Sequence, residues 1–70
     1  MIETKQVGER ISRLRQKQGM TQIALADKLG VTSQAISKWE RGQAFPDVSR
    51  LDELSEILEV AVAYLLTGKE

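Results

Sequence analysis

Five side chains between positions 32 and 38 carry hydrogen-bonding groups that a helix does not need for its buried stripe: Thr32, Ser33, Gln34, Ser37 and Lys38. A glutamine amide can pair in a bidentate manner with adenine, a lysine can donate to guanine, and a serine hydroxyl can serve either base. Their spacing places them on the outward side of one helix. Any solvated helix surface has a similar polar composition, and this simpler interpretation prevails unless the surrounding chain positions these groups for a ligand.

The residues on which most catalysis depends are missing from the chain. It contains no cysteine and no histidine, which removes the commonest zinc ligands and the commonest general base. It also has no glycine-rich phosphate loop and no pair of carboxylates placed for acid–base work. We therefore expect a protein that is not an enzyme and that has no metal or cofactor site.

The charged residues are divided unequally along the chain, although there are ten of each sign overall. Residues 1–46 contain eight basic and four acidic side chains, a net charge of +4, whereas residues 47–70 contain two basic and six acidic ones, a net charge of −4. A basic front half is typical of a protein with an anionic partner. Two sets of solvated helix faces would give the same counts.

The length of 70 residues predicts one small domain over 1–70 with a thin margin of stability. The N-terminal segment MIETKQVGER lacks the apolar core of a signal peptide, and the longest apolar run, at 60–66, is too short to span a bilayer. We therefore expect a cytoplasmic location and no membrane partner.

Hydrophobic periodicity predicts an all-α chain of five helices without strands. The first helix covers about 4–18, the third about 32–41 and the fifth about 62–67, while the second follows Thr21 and the fourth starts near Asp47. The apolar positions expected to face the core are Val7, Ile11, Leu14, Leu25, Ala26, Leu29, Ile36, Trp39, Val48, Leu51, Leu54, Ile57, Leu58, Val60, Leu65 and Leu66.

The short break between the second and third helices is the most informative local feature. Thr21 and Thr32 are candidate N-caps, and Gly30 can end a helix in the left-handed conformation. A turn of three or four residues that contains glycine sets two helices at roughly 90–120°, which is the helix-turn-helix arrangement. The small side chain of Ala26 permits a close approach of the helices, and Val31 is expected to enter the core at the corner.

These segments resemble the phage-repressor and Cro-type helix-turn-helix family, often called XRE-type. The resemblance covers about 7–68, with the motif at about 21–41, and rests on LRQKQGMTQIALADKLGVTSQAISKWERGQAFP, LDELSEILEV and YLLTG. It implies a five-helix, lambda-repressor-like DNA-binding domain. Its most specific part is the run SKWERG together with the preceding Gln22, Leu25, Ala26 and Gly30.

The resemblance implies that the third helix is the recognition helix, which enters the major groove while the second helix lies across the DNA backbone. Base contacts are then expected from Gln34 first, from Ser33 and Lys38 next, and also from Thr32 and Ser37. Phosphate contacts are expected from Arg15, Thr21, Gln22, Arg41, Gln43 and Ala44. The loop QAFP has fewer basic residues than is common in the family, which predicts weaker electrostatic anchoring or contact through backbone N–H groups.

Other charged residues receive structural roles by the same resemblance. Arg15 and Glu40 match an ion pair between the first helix and the end of the third, and the pair would also aim Arg15 towards a phosphate. Arg10 and Arg13 are expected to be solvated charges on a helix face.

Two apolar residues fit this pattern less well. Ile23 falls on the outer face of the second helix, where we expect an isolated exposed side chain. Phe45 precedes Pro46 in a loop and is expected to pack against the fourth helix. For each of the two, a partner surface or a contact with a thymine methyl group is the alternative.

The resemblance as a whole implies a sequence-specific regulator of transcription that binds double-stranded DNA, in the role of a repressor. Such proteins bind as homodimers to two-fold symmetric operators with half-sites about 34 Å apart. Val62, Tyr64 and Leu66 of the fifth helix form the predicted dimer contact. Small antitoxins can share this fold, so an antitoxin that binds a toxin protein as well as DNA is the alternative.

Overall fold

The structure is a computed structural model that describes residues 2–69, and within that range it contains five α-helices and no strand. The helices are α1 (Thr4–Lys17), α2 (Gln22–Leu29), α3 (Ser33–Glu40), α4 (Val48–Leu58) and α5 (Val62–Thr67). The predicted all-α, five-helix fold is confirmed. Met1 and Glu70, which were included in the predicted domain and charge counts, lie outside the described residues. Across residues 2–69, no helix is both long enough and apolar enough to cross a bilayer.

A single hydrophobic core draws on all five helices. Its buried members are Val7, Ile11, Leu14, Leu25, Ala26, Leu29, Ile36, Trp39, Leu54, Leu58 and Leu65, all of which were expected from periodicity. The helix α3 packs mainly against α1 and α2, whereas α4 and α5 pack against one or both of those helices and against each other. The helices α1 and α2 therefore separate α3 from the C-terminal pair and leave the outer side of α3 uncovered.

Two apolar residues predicted to face the core do not do so. Val48, the first residue of α4, is 82% exposed, because no neighbouring helix covers the first turn of α4 at that position. Leu66 remains partly exposed beside the fully buried Leu65, since adjacent residues of a helix point about 100° apart. Periodicity identifies the buried side of a helix but not how far along the helix its partners extend.

The ends of α2 and the start of α3 follow the predicted capping pattern, and Asp47 adds a side-chain cap at the start of α4. The side chains of Thr21, Thr32 and Asp47 each accept a hydrogen bond from the backbone N–H three residues later, at 2.9–3.1 Å. Gly30 ends α2 with a φ of 70°, in the left-handed region that glycine enters without strain. The two threonines and this glycine thus set the boundaries of the helix pair predicted from the sequence.

Candidate nucleic-acid interface

A short turn joins α2 to α3, and each of its residues has a defined role. Gly30 takes the left-handed conformation, and the N–H of Val31 donates to the carbonyl of Ala26 at 3.0 Å. The side chain of Val31 is half-buried and packs against the core, as predicted. Thr32 then caps α3 through its hydroxyl group. The turn therefore fixes the direction in which α3 leaves α2.

The outer surface of α3 carries the five side chains predicted to contact bases. Ile36 and Trp39 face the core, whereas Thr32, Gln34 and Lys38 are exposed and Ser33 and Ser37 are half-buried. The positions 33, 34, 37 and 38 lie one helical turn apart in pairs and share one side of α3. The structure thus brings these groups together on a surface without a partner inside the protein, and their contact with bases remains a prediction.

The ion pair predicted between Arg15 and Glu40 is confirmed. Arg15 Nε donates to Glu40 Oε2 at 2.6 Å and its Nη2 donates to Glu40 Oε1 at 3.1 Å. The two side chains are only 12% and 7% exposed. Arg15 Nη1 also donates to the carbonyl of Met20 at 2.8 Å. This bidentate geometry joins the C-terminal end of α1 to the last residue of α3.

Gln22 connects α2 to this ion pair between α1 and α3. Its side-chain amide donates to Glu40 Oε1 at 3.0 Å, so that one carboxylate accepts hydrogen bonds from both α1 and α2. The bond leaves the second N–H of the Gln22 amide and its carbonyl oxygen for other partners. The sequence indicated the pair with Arg15, but it gave no sign of this link, because positions 22 and 40 are brought together only by the turn.

The remaining residues predicted to contact phosphate lie around the two ends of the α2–α3 pair. Thr21 is exposed at the N-terminus of α2, where its hydroxyl already serves as a cap. Arg41, Gln43 and Ala44 are exposed after α3, and Arg41 Nε donates to the carbonyl of Ser37 at 3.3 Å. Arg15 is largely enclosed by its partners, so a phosphate contact from it would use the N–H groups left free. Their contacts with phosphate stay predictions.

Two arginines have structural partners that sequence reasoning missed. Arg10, expected to be solvated, is half-buried, and its Nη1 donates to the carbonyl of Leu65 near the end of α5 at 3.0 Å. The exposed Arg13 donates to the hydroxyl of Tyr64 at 3.3 Å. Both hydrogen bonds connect α1 to α5, between residues more than fifty positions apart in the chain. A local sequence pattern therefore could not predict them.

The two apolar residues that fitted the pattern less well are both exposed. Ile23 is 64% exposed on α2, as expected for an isolated outward side chain. Phe45 keeps 40% of its surface exposed, and its packing against α4 stays a prediction. Its loop leads into α4 through the buried Pro46.

Comparison with known proteins gives matches over most of the chain. A family model described as helix-turn-helix matches residues 11–65. An SPbeta prophage-derived, uncharacterized HTH-type transcriptional regulator of Bacillus subtilis is 44% identical over 61 residues, which are 87% of this chain and 56% of that protein. The repressor protein C2 of Salmonella phage P22 is 40% identical over 67 residues, covering 96% of this chain and 31% of the repressor.

Solved structures of DNA complexes show the same fold. The crystal structure of the P22 c2 repressor with a synthetic operator superimposes with a TM-score of 0.88 at 41% identity, covering 94% of this chain and 100% of that chain. SinR, a master regulator for biofilm formation, in complex with DNA gives a TM-score of 0.77 at 33% identity, covering 84% of this chain and 95% of that chain. The chain therefore spans about half the length of the Bacillus subtilis regulator and about a third of the P22 repressor. It spans nearly all of the two solved chains.

Proposed function

Because this chain belongs to the helix-turn-helix family, we propose that it is a sequence-specific DNA-binding regulator of transcription that acts as a repressor. The observation that carries the proposal is the outer face of α3, where five polar side chains lie together on a surface that no other helix covers, while Glu40 fixes the far end of the helix. Relatives at 41% and 33% identity were solved with operator or other DNA. Occupation of an operator would block access of the transcription machinery to that site.

In the proposed complex, α3 lies in the major groove with its N-terminal residues against the base edges. Gln34 is exposed in the first turn of α3 and can pair through both amide atoms with adenine. Ser33 and Lys38 flank it on the same side of the helix and would contact adjacent bases. One well-formed bidentate contact discriminates against a wrong base by about 1–3 kcal/mol, so Gln34 contributes most to the choice of sequence.

Phosphate contacts would hold α3 in register along the duplex. The N-terminus of α2 presents free backbone N–H groups, which favour an anion, and Gln22 stands there with one amide N–H uncommitted. On the other side of α3, Arg41 and the backbone of Gln43 and Ala44 lie in an exposed loop. The basic balance of residues 1–46 would add a general attraction for the duplex.

The proposed active form is a homodimer on a two-fold symmetric site. A single α3 reads only a few base pairs, and two copies spaced by one helical turn of DNA combine their affinities. Val62 and Leu66 lie one helical turn apart on α5 and are half-exposed, so they offer an apolar contact for the second copy. Tyr64, the third residue predicted for this contact, lies on the other side of α5, where it packs against the core and accepts a hydrogen bond from Arg13. The α5 helix packs on α1 rather than on α3, so this contact would leave the DNA-reading surface free.

Selection of bound duplexes from a random library tests the proposed function. The selection is performed at about 150 mM salt, where non-specific binding is weak. We expect enrichment of one two-fold symmetric sequence whose half-sites are centred about 34 Å apart. Binding that enriches no sequence and disappears as salt is raised would overturn the proposal and favour a role that depends on a protein partner.

A further inference from the structure

The first two turns of α1 lie directly against the C-terminal end of α3, with no side chain between the two backbones at Gly8. Gly8 is buried in the middle of the contact. A Cβ atom at this position would overlap the carbonyl oxygen of Trp39 and would lie 2.7 Å from the carbonyl oxygen of Glu40. Real Cβ atoms essentially never approach so closely. The absence of a side chain at Gly8 therefore sets the distance between α1 and α3.

A second glycine makes the contact from the opposite side. Gly42 follows α3, and a Cβ atom there would lie 2.8 Å from the Cα of Lys5 and 3.0 Å from its backbone nitrogen. The hydroxyl of Thr4 donates to the carbonyl of Gly42 at 3.3 Å. Each segment therefore presents a glycine to the backbone of the other, and the two contacts lie about one helical turn apart along α1.

The atoms opposite Gly8 cannot yield without moving α3 itself. They are backbone carbonyl groups, and the Trp39 carbonyl also accepts the N–H of Gly42 at 3.1 Å. The Trp39 side chain is held in the core, and the Glu40 side chain is held by Arg15 and Gln22. A larger residue at position 8 would therefore displace the C-terminal end of α3 as a unit.

We propose that Gly8 is a positioning residue that sets where α3 lies relative to α1 and α2, and thereby sets DNA sequence specificity. The inference rests on the proposed function. Base hydrogen bonds tolerate errors of only about 0.5 Å in the placement of a side chain, which is less than the displacement that a methyl group at Gly8 requires. The backbone N–H groups at the N-terminus of α2, which would contact phosphate, belong to α2 and keep their direction when α3 moves. A displaced α3 should thus lose sequence discrimination while general affinity for DNA is retained.

Substitution of Gly8 by alanine separates this role from ordinary helix stability. Alanine favours a helix more than glycine does, so helix propensity alone predicts a more stable α1 in Gly8→Ala. The steric contact with α3 instead predicts that Gly8→Ala lowers the stability of the fold and weakens base recognition. Gly42→Ala is a second variant that acts on the same contact from the other side.

Gly19→Ala provides a matched control for Gly42→Ala. Both glycines have a φ of 73°, so alanine introduces the same backbone strain at each. A Cβ atom at Gly19 meets nothing within 4 Å, whereas one at Gly42 meets the backbone of Lys5. Any difference between the two variants therefore reports the contact between α1 and the end of α3.

The experiment measures the ratio of dissociation constants for non-specific and selected duplexes, at one salt concentration, for the wild-type chain and the three variants. Folding is checked by circular dichroism, and unstable variants are measured at low temperature with trimethylamine N-oxide, which strengthens burial. We expect the ratio to fall about tenfold or more in Gly8→Ala and Gly42→Ala, as for loss of a good base contact. In Gly19→Ala it should stay within about twofold of the wild-type value.

Three other results of this experiment would overturn the inference, and one of them would also overturn the proposed function. Unchanged ratios in folded Gly8→Ala and Gly42→Ala would overturn the inference while leaving the proposed function intact. Failure of both variants to fold, under conditions where Gly19→Ala folds, would also overturn it, because the contact would then be a requirement for folding rather than a determinant of specificity. A wild-type chain that prefers no sequence would overturn the proposed function, and this inference with it.

Discussion

Glu40 connects the end of α3 to both α1 and α2. Its carboxylate accepts two hydrogen bonds from Arg15 and one from Gln22. A buried ion pair contributes little net stability over an apolar pair, but removing one partner leaves a desolvated charge. The main effect of these hydrogen bonds is therefore to fix the end of α3 relative to both α1 and the N-terminus of α2.

A pair of variants tests this role of Glu40. Arg15→Met should lower the free energy of unfolding by about 3–5 kcal/mol, because it leaves Glu40 buried with Gln22 alone. The double variant Arg15→Met/Glu40→Leu should recover most of that loss, because no buried charge remains. Urea denaturation of the three proteins measures both effects. Equal stability of the single and double variants would contradict the account.

At the scale of the helices, one termination pattern recurs four times. The N–H groups of Met20, Val31, Gln43 and Val60 each donate to the carbonyl five residues earlier, after α1, α2, α3 and α4 respectively. The residue before each donor has positive φ, and it is glycine in three cases and Glu59 in the fourth. Among residues 2–69, Glu59 is the only non-glycine residue with positive φ, so α4 ends with strain that the other three avoid.

Replacing Glu59 by glycine should therefore stabilise the protein. The left-handed conformation is unfavourable for a residue with a Cβ atom by about 1–2 kcal/mol, and the relief would raise the melting temperature by about 4–8 °C per kcal/mol in a domain of this size. Glu56→Gly, at an exposed position inside α4, removes the same charge and should destabilise by about 1 kcal/mol. A melting temperature that falls in Glu59→Gly would refute the strain.

The sequence predicted the helices and their buried faces well because those features are local. Spacing identified Val7, Ile11 and Leu14 on α1, and cap chemistry located Thr21 and Thr32, without any knowledge of distant contacts. Residue-level errors arose where the answer depended on another element. The exposure of Val48 depends on how far the neighbouring helices extend, and the bond from Arg10 to Leu65 depends on how α5 lies on α1.

The same limit applies to the candidate site. The five outward residues of α3 followed from periodicity once the motif was seen, and the ion pair followed from the resemblance. The link from Gln22 to Glu40 and the close approach at Gly8 had no local signature. A polar side chain on a surface helix and a glycine inside a helix each suit many environments, and only the packed chain distinguishes among them.

At the scale of the whole molecule, the uneven distribution of charge along the chain corresponds to the arrangement of the helices. The helices α1 to α3 lie in the part of the chain with a net charge of +4, and α4 and α5 lie in the part with −4. Because α3 packs mainly on α1 and α2 while α4 packs behind them, an approaching duplex would meet the basic elements before the acidic ones. General electrostatic affinity should therefore depend on individual basic residues near α3.

Arg41 and Arg50 allow that dependence to be tested with matched arginines. Arg41 is exposed after α3, whereas Arg50 forms an ion pair with Glu53 on α4 at 2.8 Å. Arg41→Ala should weaken binding to all duplexes alike and reduce the slope of log K against log salt by about one unit, as for loss of one phosphate contact. Arg50→Ala should leave the slope unchanged. Equal slopes for both variants would remove Arg41 from the interface.

The central claim is that side chains on α3 choose the DNA sequence, and parallel selections on three proteins test it most directly. The wild-type chain, Gln34→Ala and Gln16→Ala are each used to select duplexes from the same random library. Gln16 is an exposed glutamine on α1 whose amide donates to Ser12, its one side-chain hydrogen bond among residues 2–69, which makes it the matched control. We predict that Gln34→Ala loses its preference at one base pair of each half-site and retains the others, while Gln16→Ala selects the wild-type sequence. The same base preferences from all three proteins would contradict the claim that Gln34 on α3 reads the major groove.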